Sequence, residues 1–577
     1  MGSSGGVWLA RRMPDDNNEP DLVLRGGQIV TACNGLVVES LAVRANRVSA
    51  AGTDVEIGSL AGPRTRVIDL DGRTVVPGIN DSHVHLGFFG AVRPPLAIDV
   101  SFPTVQSTGD IAHAIRHARP TGPWIRGIGW DIGYLDDLSA ERPPHRRDLD
   151  QVSEQIPVAL RDFSGHQLWV NSRALQIAGI GRNTPDPSGG VIVRDSDGEP
   201  TGILQESATS LVASHMPPLS EHELNQALDT ARDLMHAEGI TSVTDAALGP
   251  GGNTFEGGAA GERFLRLLGE RAGPDDFSLR ATVLMAFSPL TSSCVSDVEE
   301  HLHTFVPPSN KPGWFQIAGV KLFADGVPPN KTAWVNQEYC GGGFGCLTIV
   351  GECDEQRLAD LDAMVGLIHD AGHQIGVHVT GDRAIEATVK CLVAAQRRNP
   401  LPDPRHYLIH ADLASPEVLK LVALHGYGAS MQPAIKWTIA NLMRDLLGKE
   451  RADYQWPMRT GLDAGVRVTS SSDAPITYPS WRQGVAAAVL RESKASGETY
   501  GPAERISLLE ALETYTVNGA WQDRAEGWKG DLTPGKVADF CILDDRVLDI
   551  DPRKIPDTQI ATTVVDGRVV FGDFPGS

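Results

Sequence analysis

Two histidines separated by one residue, His83 and His85, are the first candidates for chemistry in this sequence. They end the segment TVVPGINDSHVHL, which is typical of a β-strand. Side chains at positions i and i+2 of a strand point to the same face, so both imidazoles could bind one metal ion. The spacing alone is weak evidence, because histidine pairs also occur on protein surfaces and in cores.

Further residues of metal-binding type stand at the ends of later predicted strands. They are Lys321 in GVKLFADG, His378 in GVHVTGD, His410 in YLIHADL and Asp473 in VTSSSDAP. Each has an ordinary interpretation as a solvated charge, a core histidine or a helix cap. Barrel enzymes, however, place their catalytic groups at the C-terminal ends of strands. Five strand ends with nitrogen or oxygen ligands therefore predict a metal-dependent active site.

The elements that would position these residues follow a repeating order. Helical patterns such as DEQRLADLDAMVGLIHDAG and RAIEATVKCLVAAQRRN each precede a short apolar strand pattern. This alternation predicts an α/β fold with a parallel sheet, and its length suits a (β/α)8 TIM-type barrel. No glycine-rich nucleotide-binding loop follows a strand, which disfavours a nucleotide-binding fold. We predict the barrel over residues 78–527, with a large insertion over its mouth, after strand 1, at about 92–235.

Both ends of the chain have a different sequence pattern from the middle. Residues 21–77 and 528–577 contain short alternating strands separated by turn residues, and Asp566-Gly567 is a strong hairpin signal. We predict one β-sandwich domain built from both termini. Residues 1–20 are rich in Gly, Ser, Asp, Asn and Pro and are predicted to be a flexible leader.

Composition excludes several classes of partner. The 577 residues include 73 acidic and 51 basic side chains, so the net charge of −22 disfavours nucleic acid and anionic lipid surfaces. No apolar stretch is long enough for a membrane span. Seven sparse cysteines favour a reducing compartment, so we expect a cytoplasmic protein. We further expect a small-molecule substrate and a homo-oligomer, a dimer.

The motifs together resemble a known family. PGINDSHVHL, GVKLFADG, VHVTGDRAIE, LIHADL, SSDAP and PGKVADFCILD, in this order, resemble the metal-dependent amidohydrolase superfamily, specifically its family-3, YtcJ-like branch. RDFSGHQLWVNSRAL is also similar to that branch. The resemblance extends over about residues 21–573 and implies a barrel with a β-sandwich of both termini. N-substituted formamide deformylases are one neighbour within the branch.

The resemblance implies a set of ligands for two divalent metal ions, most simply Zn²⁺. His83, His85 and Asp473 would bind the more buried ion, and His378 and His410 the second, with Lys321 as the bridge. A protonated ammonium has no lone pair, whereas an Nε-carboxylated lysine offers two anionic oxygens. We therefore expect Lys321 to be carboxylated; an unmodified Lys321 beside a single ion is the alternative.

Residues outside this set are candidates for substrate contact. His166, in the insertion, could act in catalysis or bind a substrate carbonyl, although a structural role is equally compatible with the sequence. Trp169 and Trp437 lie in segments expected near the barrel mouth and could line a pocket. Asp325, four residues after Lys321, is interpreted as a residue that caps a loop or supports a ligand.

A glycine-rich stretch follows the predicted strand of Lys321 and contains Cys340, Cys346 and Cys353. No histidine or CxxC pair accompanies these thiols, so we favour a loop that covers the substrate over a thiolate metal site or a disulfide.

The predicted activity is metal-dependent hydrolysis of a C–N bond in an amide, N-acyl or cyclic imide-like small molecule. Asp473 would accept the proton of the attacking water and transfer it to the leaving nitrogen. The same site could instead hydrolyse an ester, lactone or carbamate. A non-catalytic metal-binding protein is a third hypothesis, and the retention of every ligand and of the base argues against it.

Overall fold

A computed structural model gives the structure of this protein. It describes residues 8–9, 19–101, 104–119, 122–132, 135–139, 142–162, 165, 167–187, 190–206, 208–251, 260–289 and 292–576. Most of the leader predicted at 1–20 lies outside these residues, as does His166. Strands and helices are numbered along the chain.

Two sheets at the ends of the chain form the β-sandwich. The first, in the order β1-β6-β5-β2-β7, contains β1 (Trp8–Leu9), β2 (Leu22–Arg25), β5 (Ser40–Arg44), β6 (Arg47–Gly52) and β7 (Arg66–Asp69). The second, in the order β25-β24-β23-β8-β3-β4, contains β3 (Gln28–Val30), β4 (Val37–Val38), β8 (Thr74–Pro77), β23 (Phe540–Leu543), β24 (Ile560–Val565) and β25 (Arg568–Gly572).

The second sheet joins the two ends of the sequence. Strand β8 pairs antiparallel with β23, so that Val76 lies opposite Cys541. Alternate apolar side chains of both segments, such as Leu24 and Phe540, belong to one buried cluster. Burial of this shared apolar face holds the two segments together, since the N-terminal segment supplies only half of the second sheet and the C-terminal segment supplies the other half. The prediction of a flanking β domain built from both termini is confirmed.

An eight-stranded parallel sheet forms the barrel between these segments. Its strands, in order around the sheet, are β9 (Ile79–Val84), β16 (Ile240–Leu248), β17 (Arg280–Ala286), β18 (Phe315–Phe323), β19 (Gln374–Val379), β20 (Tyr407–His410), β21 (Gly428–Met431) and β22 (Arg467–Ser470). Each strand is parallel to the next. Beyond β22, the Asp473 N–H donates to the His83 carbonyl oxygen at 3.0 Å, which brings the last strand back to the first. The predicted TIM-type α/β fold is confirmed.

The helices begin where the sequence provides caps. In α7 (Glu221–Ala237) the Ser220 hydroxyl accepts from the Glu223 N–H while the Glu223 carboxylate accepts from the Ser220 N–H. The remaining helices outside residues 85–231 are α1 (Asp54–Gly58), α8 (Ala260–Arg271), α9 (Val295–Thr304), α10 (Asp354–Asp370), α11 (Asp382–Arg398), α12 (Pro416–Leu424), α13 (Pro433–Leu447), α14 (Lys449–Tyr454), α15 (Met458–Asp463), α16 (Trp481–Leu490), α17 (Leu508–Thr514) and α18 (Val517–Gln522). Among the described residues, no helix is long and apolar enough to cross a membrane.

The chain divides into two compact units. One contains Met1–Val84, Arg232–Gly251 and Leu268–Ser577; the other contains His85–Ala231 and Gly252–Leu267. The second unit has its own six-stranded sheet, in the order β10-β11-β12-β13-β15-β14. Its elements are α2 (Leu86–Ala91), β10 (Ile98–Asp99), α3 (Thr108–His117), β11 (Ile125–Trp130), α4 (Arg146–Asp150), β12 (Val158–Asp162), β13 (Gln167–Val170), α5 (Ser172–Ile177), β14 (Gly190–Arg194), β15 (Pro200–Glu206) and α6 (Thr209–Ala213).

A buried arginine links the barrel to the sandwich. Arg280, at the start of β17, donates from Nε to Asp539 Oδ2 at 2.6 Å and from a terminal nitrogen to Oδ1 at 3.0 Å. Asp539 directly precedes β23, and both side chains are buried. The guanidinium carbon also lies 4.3 Å from the centre of the Trp314 ring. This fork-shaped pairing satisfies both charges in a region that water does not reach.

Replacing Arg280 with Ala should destabilise the protein by about 3–5 kcal/mol, because the Asp539 carboxylate would remain buried without its guanidinium partner. Urea unfolding measures this loss. Arg568→Ala is the matched control, since Arg568 pairs with Asp275 at 2.7 Å where both side chains are exposed. Equal unfolding midpoints for the two variants would contradict a stabilising role for the buried pair.

Candidate metal centre

Three side chains from the first and last barrel strands come together at one point. His83, His85 and Asp473 are buried, and their ligand atoms all lie within 4.8 Å of one another. His83 Nε2 lies 3.2 Å from Asp473 Oδ1. The backbone hydrogen bond from the Asp473 N–H to the His83 carbonyl oxygen holds these two residues together, so that their side chains meet.

The later histidines lie beside this group. The ring centres of His83 and His410 are 5.4 Å apart, and those of His410 and His378 are 4.6 Å apart. His378 Nε2 lies 3.3 Å from the Gly326 carbonyl oxygen, which can only accept, so Nε2 is the protonated nitrogen and Nδ1 keeps its lone pair. Burial lowers the pKa of His410 well below its usual range, and His378 adds to this effect.

Lys321 completes the cluster from β18. The side chain is buried, and its Nζ lies 5.1 Å from the centre of the Phe323 ring. Burial lowers the pKa of Lys321 to about 7, while the negative charges of Asp473 and Asp245 act in the opposite direction. A neutral lysine amine is therefore accessible near neutral pH, which an ordinary surface lysine does not offer. His83, His85 and Asp473 thus form the close group, the rings of His410 and His378 lie beside it, and the charge of Asp473 acts on Lys321.

Two of these residues have unusual backbone conformations. His410 has φ of 76° and Asp473 has φ of 57°, both in the left-handed region. Such conformations are uncommon for residues other than glycine, although Asn, Asp and His adopt them more often than most. Non-glycine residues in this region cost of order 1–3 kcal/mol and concentrate at functional sites, where the surrounding structure holds them. The chain bends sharply here and directs both side chains toward the cluster.

Sequence reasoning missed two acidic residues of the site. Asp245, on β16, is fully buried and pairs in register with Val84, the residue between His83 and His85. Asp81 accepts from the Ser472 N–H at 3.0 Å, and burial raises the pKa of Asp81 to about 7. Asp245 carries the signal that revealed the ligands, a charged residue in the second half of an apolar strand, whereas Asp81 lies in the first half of β9.

The donor set and its spacing fit a divalent metal ion. In a tetrahedral zinc site with bonds of about 2.0–2.1 Å, neighbouring ligand atoms lie about 3.3 Å apart. The 3.2 Å between His83 Nε2 and Asp473 Oδ1 matches this distance. Imidazole nitrogens and a carboxylate are typical zinc donors. The four histidines, one aspartate and one lysine are all buried. Burying so many polar groups costs free energy and adds little to apolar packing, which favours a role in metal binding.

The residues expected to contact substrate have different environments. Trp169 is fully buried in a hydrophobic cluster, with its ring centre 5.6 Å from that of Trp130, which supports packing and not substrate contact. Trp437, on α13, is partly buried, and the Lys494 ammonium lies 5.4 Å from its ring centre. His166 lies outside the described residues.

The three cysteines of the glycine-rich loop are exposed and form no disulfide. They are Cys340, Cys346 and Cys353. In the described part of the chain, the cluster of His, Cys, Asp and Glu side chains close enough to bind a metal contains none of them. These thiols stay outside the candidate metal centre.

Comparison with known proteins gives consistent similarities. Residues 66–571 match the model of a family described as the amidohydrolase family. The chain is 30% identical to YtcJ of Bacillus subtilis (strain 168) over 88% of this chain and 91% of that protein. It is 29% identical to an N-substituted formamide deformylase of Arthrobacter pascens over 92% of this chain and 94% of that protein. A metal-dependent hydrolase from Pyrococcus horikoshii OT3 has the same fold, with a TM-score of 0.70 at 21% identity, covering 92% of this chain and 99% of that one.

A buried carboxylate holds the loops that follow the strands of Lys321 and His378. Asp325 Oδ2 accepts from the N–H groups of Trp334 and Gly381, each at 2.9 Å, and Oδ1 accepts from the Thr380 N–H at 3.0 Å. A Cβ atom at Gly381 would lie 2.1 Å from the Trp334 carbonyl oxygen, so the two segments approach too closely for any other residue. Asp325 therefore caps both loops, which is one of the roles interpreted from the sequence.

Replacing Asp325 with Ala should release the loop around Trp334, because three buried N–H donors would lose their acceptor at about 1–3 kcal/mol each. Limited proteolysis should then cleave the loop between residues 326 and 352 faster. Asp382→Ala is the control, since Asp382 accepts from the Asn336 N–H of the same loop at 2.8 Å in an exposed position. Cleavage of Asp325→Ala no faster than that of this control would contradict the anchoring role.

Proposed function

The chain belongs to the amidohydrolase family and is a hydrolytic enzyme that acts on non-peptide C–N bonds; on this premise we propose that it hydrolyses an amide, N-acyl or cyclic imide-like small molecule with the help of two divalent metal ions. The observation that carries this proposal is the buried group of His83, His85 and Asp473, with the rings of His410 and His378 beside it. The N-substituted formamide deformylase, similar over nearly the whole chain, makes N-substituted formamides the first substrates to test.

Each residue of the centre has a proposed part in holding the ions. His83, His85 and Asp473 would hold the first ion, for which the 3.2 Å spacing of His83 and Asp473 is suitable. His378 and His410 would hold the second, because their rings lie 4.6 Å apart and His410 also faces His83. Zinc is the proposed metal, since imidazole nitrogen and carboxylate oxygen are its usual donors.

Lys321 would bridge the two ions as a carbamate. An ammonium group repels cations and has no lone pair to offer, so an unmodified charged lysine does not suit this position. The neutral amine can add to carbon dioxide, which forms an N–C bond, releases one proton and leaves a carboxylate whose two oxygens share one negative charge. Burial of Lys321 favours the neutral amine that this addition requires.

Bound divalent ions would supply two effects, a lower pKa for water and polarisation of the substrate carbonyl. The chain itself supplies the proton transfers. The Asp473 carboxylate would accept a proton from the attacking water as the C–O bond forms, and would then donate it to the nitrogen as the C–N bond breaks. The products are a carboxylic acid and an amine. The hydrogen bond from the Asp473 N–H to the His83 carbonyl oxygen holds Asp473 in place for both proton transfers.

A matched pair of substrates tests the bond that is cleaved. We expect the zinc-loaded protein to hydrolyse an N-substituted formamide, and to do so faster, relative to the uncatalysed reaction, than it hydrolyses the formate ester of the same group. The amide nitrogen must be protonated to leave, so an enzyme with a proton donor at this point favours the amide. Turnover of esters, lactones or carbamates without turnover of amides would contradict C–N hydrolysis and support the alternative activity.

Replacing Asp473 with Asn should abolish most activity but keep the fold and much of the metal. Asparagine retains a carbonyl oxygen that can bind an ion, and its backbone N–H can still donate to His83, but its amide accepts no proton at neutral pH. The rate should fall by about 10²–10⁴-fold. Steady-state kinetics and metal analysis of the same sample measure both effects, with Asp382→Asn as an exposed control. A metal-loaded Asp473→Asn variant within about tenfold of the parent rate would exclude this residue as the proton carrier.

A further inference from the structure

A glutamine that the proposed mechanism does not use contacts one of the candidate ligands. Gln432 directly follows β21, and its side chain is fully buried. Its Oε1 lies 2.8 Å from His410 Nδ1. Its Nε2 lies 2.8 Å from the Ser471 hydroxyl and 3.2 Å from the Ser430 carbonyl oxygen. One amide thus connects the ends of three barrel strands, β20, β21 and β22.

The surroundings determine which way this amide faces. The Ser430 backbone carbonyl can only accept a hydrogen bond, so the NH₂ end of Gln432 must point toward it. The Ser471 hydroxyl can donate or accept and fits either orientation. The oxygen of Gln432 must then face His410, and an oxygen acceptor requires a proton on His410 Nδ1. In this tautomer the other ring nitrogen, Nε2, carries the lone pair.

We propose that Gln432 is a positioning residue of the metal centre, which holds His410 in the tautomer and ring orientation that present Nε2 as a ligand. This inference rests on the proposed function, since it takes His410 as a metal ligand. Hydrogen-bond partners of ligating histidines fix the tautomer and ring orientation and raise the basicity of the ligand. Ser430 and Ser471 hold the amide in turn, so the strand that leads to Asp473 also orients His410.

A comparison with His378 shows why the Gln432 side chain is needed to orient His410. His378 is oriented by the Gly326 backbone carbonyl, which no substitution removes. For His410 the partner is the Gln432 side chain, so its contribution can be tested by substitution. Loss of such a partner typically weakens metal affinity by about 10–100-fold.

Three variants separate hydrogen bonding from packing. Gln432→Leu keeps a similar volume but removes the acceptor for His410 Nδ1. Gln432→Glu keeps an oxygen acceptor for His410 Nδ1, and its second oxygen can accept from the Ser471 hydroxyl, but it loses the donor to the Ser430 carbonyl. Gln374→Leu is the matched control, because Gln374 is also a buried glutamine of the barrel, on β19, and donates to the carbonyl oxygens of Arg405 at 2.7 Å and Gln522 at 3.1 Å. Neither of these partners is a candidate ligand.

The measurement is the affinity of the metal-free full-length protein for zinc, by competition with a chromophoric chelator. We expect Gln432→Leu to bind its weaker zinc ion about 10–100-fold less tightly than the parent, with Gln432→Glu and Gln374→Leu close to the parent value. The visible absorption spectrum of the cobalt-loaded protein should change in Gln432→Leu and not in Gln374→Leu, because it reports ligand geometry.

Equal zinc affinity in Gln432→Leu and the parent would overturn the positioning role. An equal loss in Gln432→Leu and Gln432→Glu would also overturn it, because the acceptor retained for His410 Nδ1 would then have no effect. If Gln432→Leu does not fold, Ser471→Ala tests the same claim, since it removes a partner of the amide; an unchanged affinity and cobalt spectrum there would overturn it. Normal zinc binding without amide hydrolysis would contradict the proposed function. The zinc affinities of the variants would still test the positioning role of Gln432. A parent protein that binds no zinc would overturn both.

Discussion

The hydrogen bond from the Asp473 N–H to the His83 carbonyl oxygen is the constraint on which the rest of the site depends. It joins Asp473, three residues beyond the end of β22, to His83 of the first strand. The Ser472 N–H, which donates to the Asp81 carboxylate, and the Ser82 hydroxyl, which donates to the Ser470 carbonyl, strengthen the same junction. The two candidate ligands are also the two hydrogen-bonded residues, so the contact that joins the last strand to the first also holds His83 beside Asp473.

This junction requires polar groups deep inside the barrel, and each of those named here has a partner. The Ser82 hydroxyl contacts Thr469 at 2.9 Å, and the Thr469 hydroxyl donates to the Gln522 side-chain oxygen at 3.0 Å. The nitrogen of the same glutamine donates to the Ser82 carbonyl oxygen at 2.9 Å. Buried polar groups are tolerated only when they are hydrogen-bonded, so this network supports the left-handed conformation of Asp473 at the junction above it.

The features that the sequence predicted are those encoded by local patterns. Alternation in TVVPGINDSHVHL, the Ser220 and Glu223 capping box and the polar residues at strand ends led to the barrel and to the six candidate ligands. The order of strands around the barrel followed from their parallel alternation with helices. The resemblance of the motifs to the amidohydrolase superfamily added the metal count and the bridging role of Lys321, which remain proposals.

What the sequence did not reveal depends on contacts between distant segments. Gln432 has no distinctive spacing, and its contact with His410 appears only in the folded barrel. The charge of Asp245 acts on Lys321 from two strands away, which no local pattern indicates. Trp169 was predicted to line a pocket because its segment was expected near the barrel mouth, yet its indole is buried against Trp130. A hydrophobic pattern does not distinguish an aromatic residue that lines a pocket from one that fills a core.

Zinc titration of the metal-free protein, followed by hydrolysis of an N-substituted formamide, tests the central claim most directly. Our account predicts no measurable hydrolysis without metal, and a rate that rises with added zinc until about two equivalents per chain are bound, since catalysis needs both the activated water and the polarised carbonyl. Full activity in protein shown to be free of metal would contradict the account.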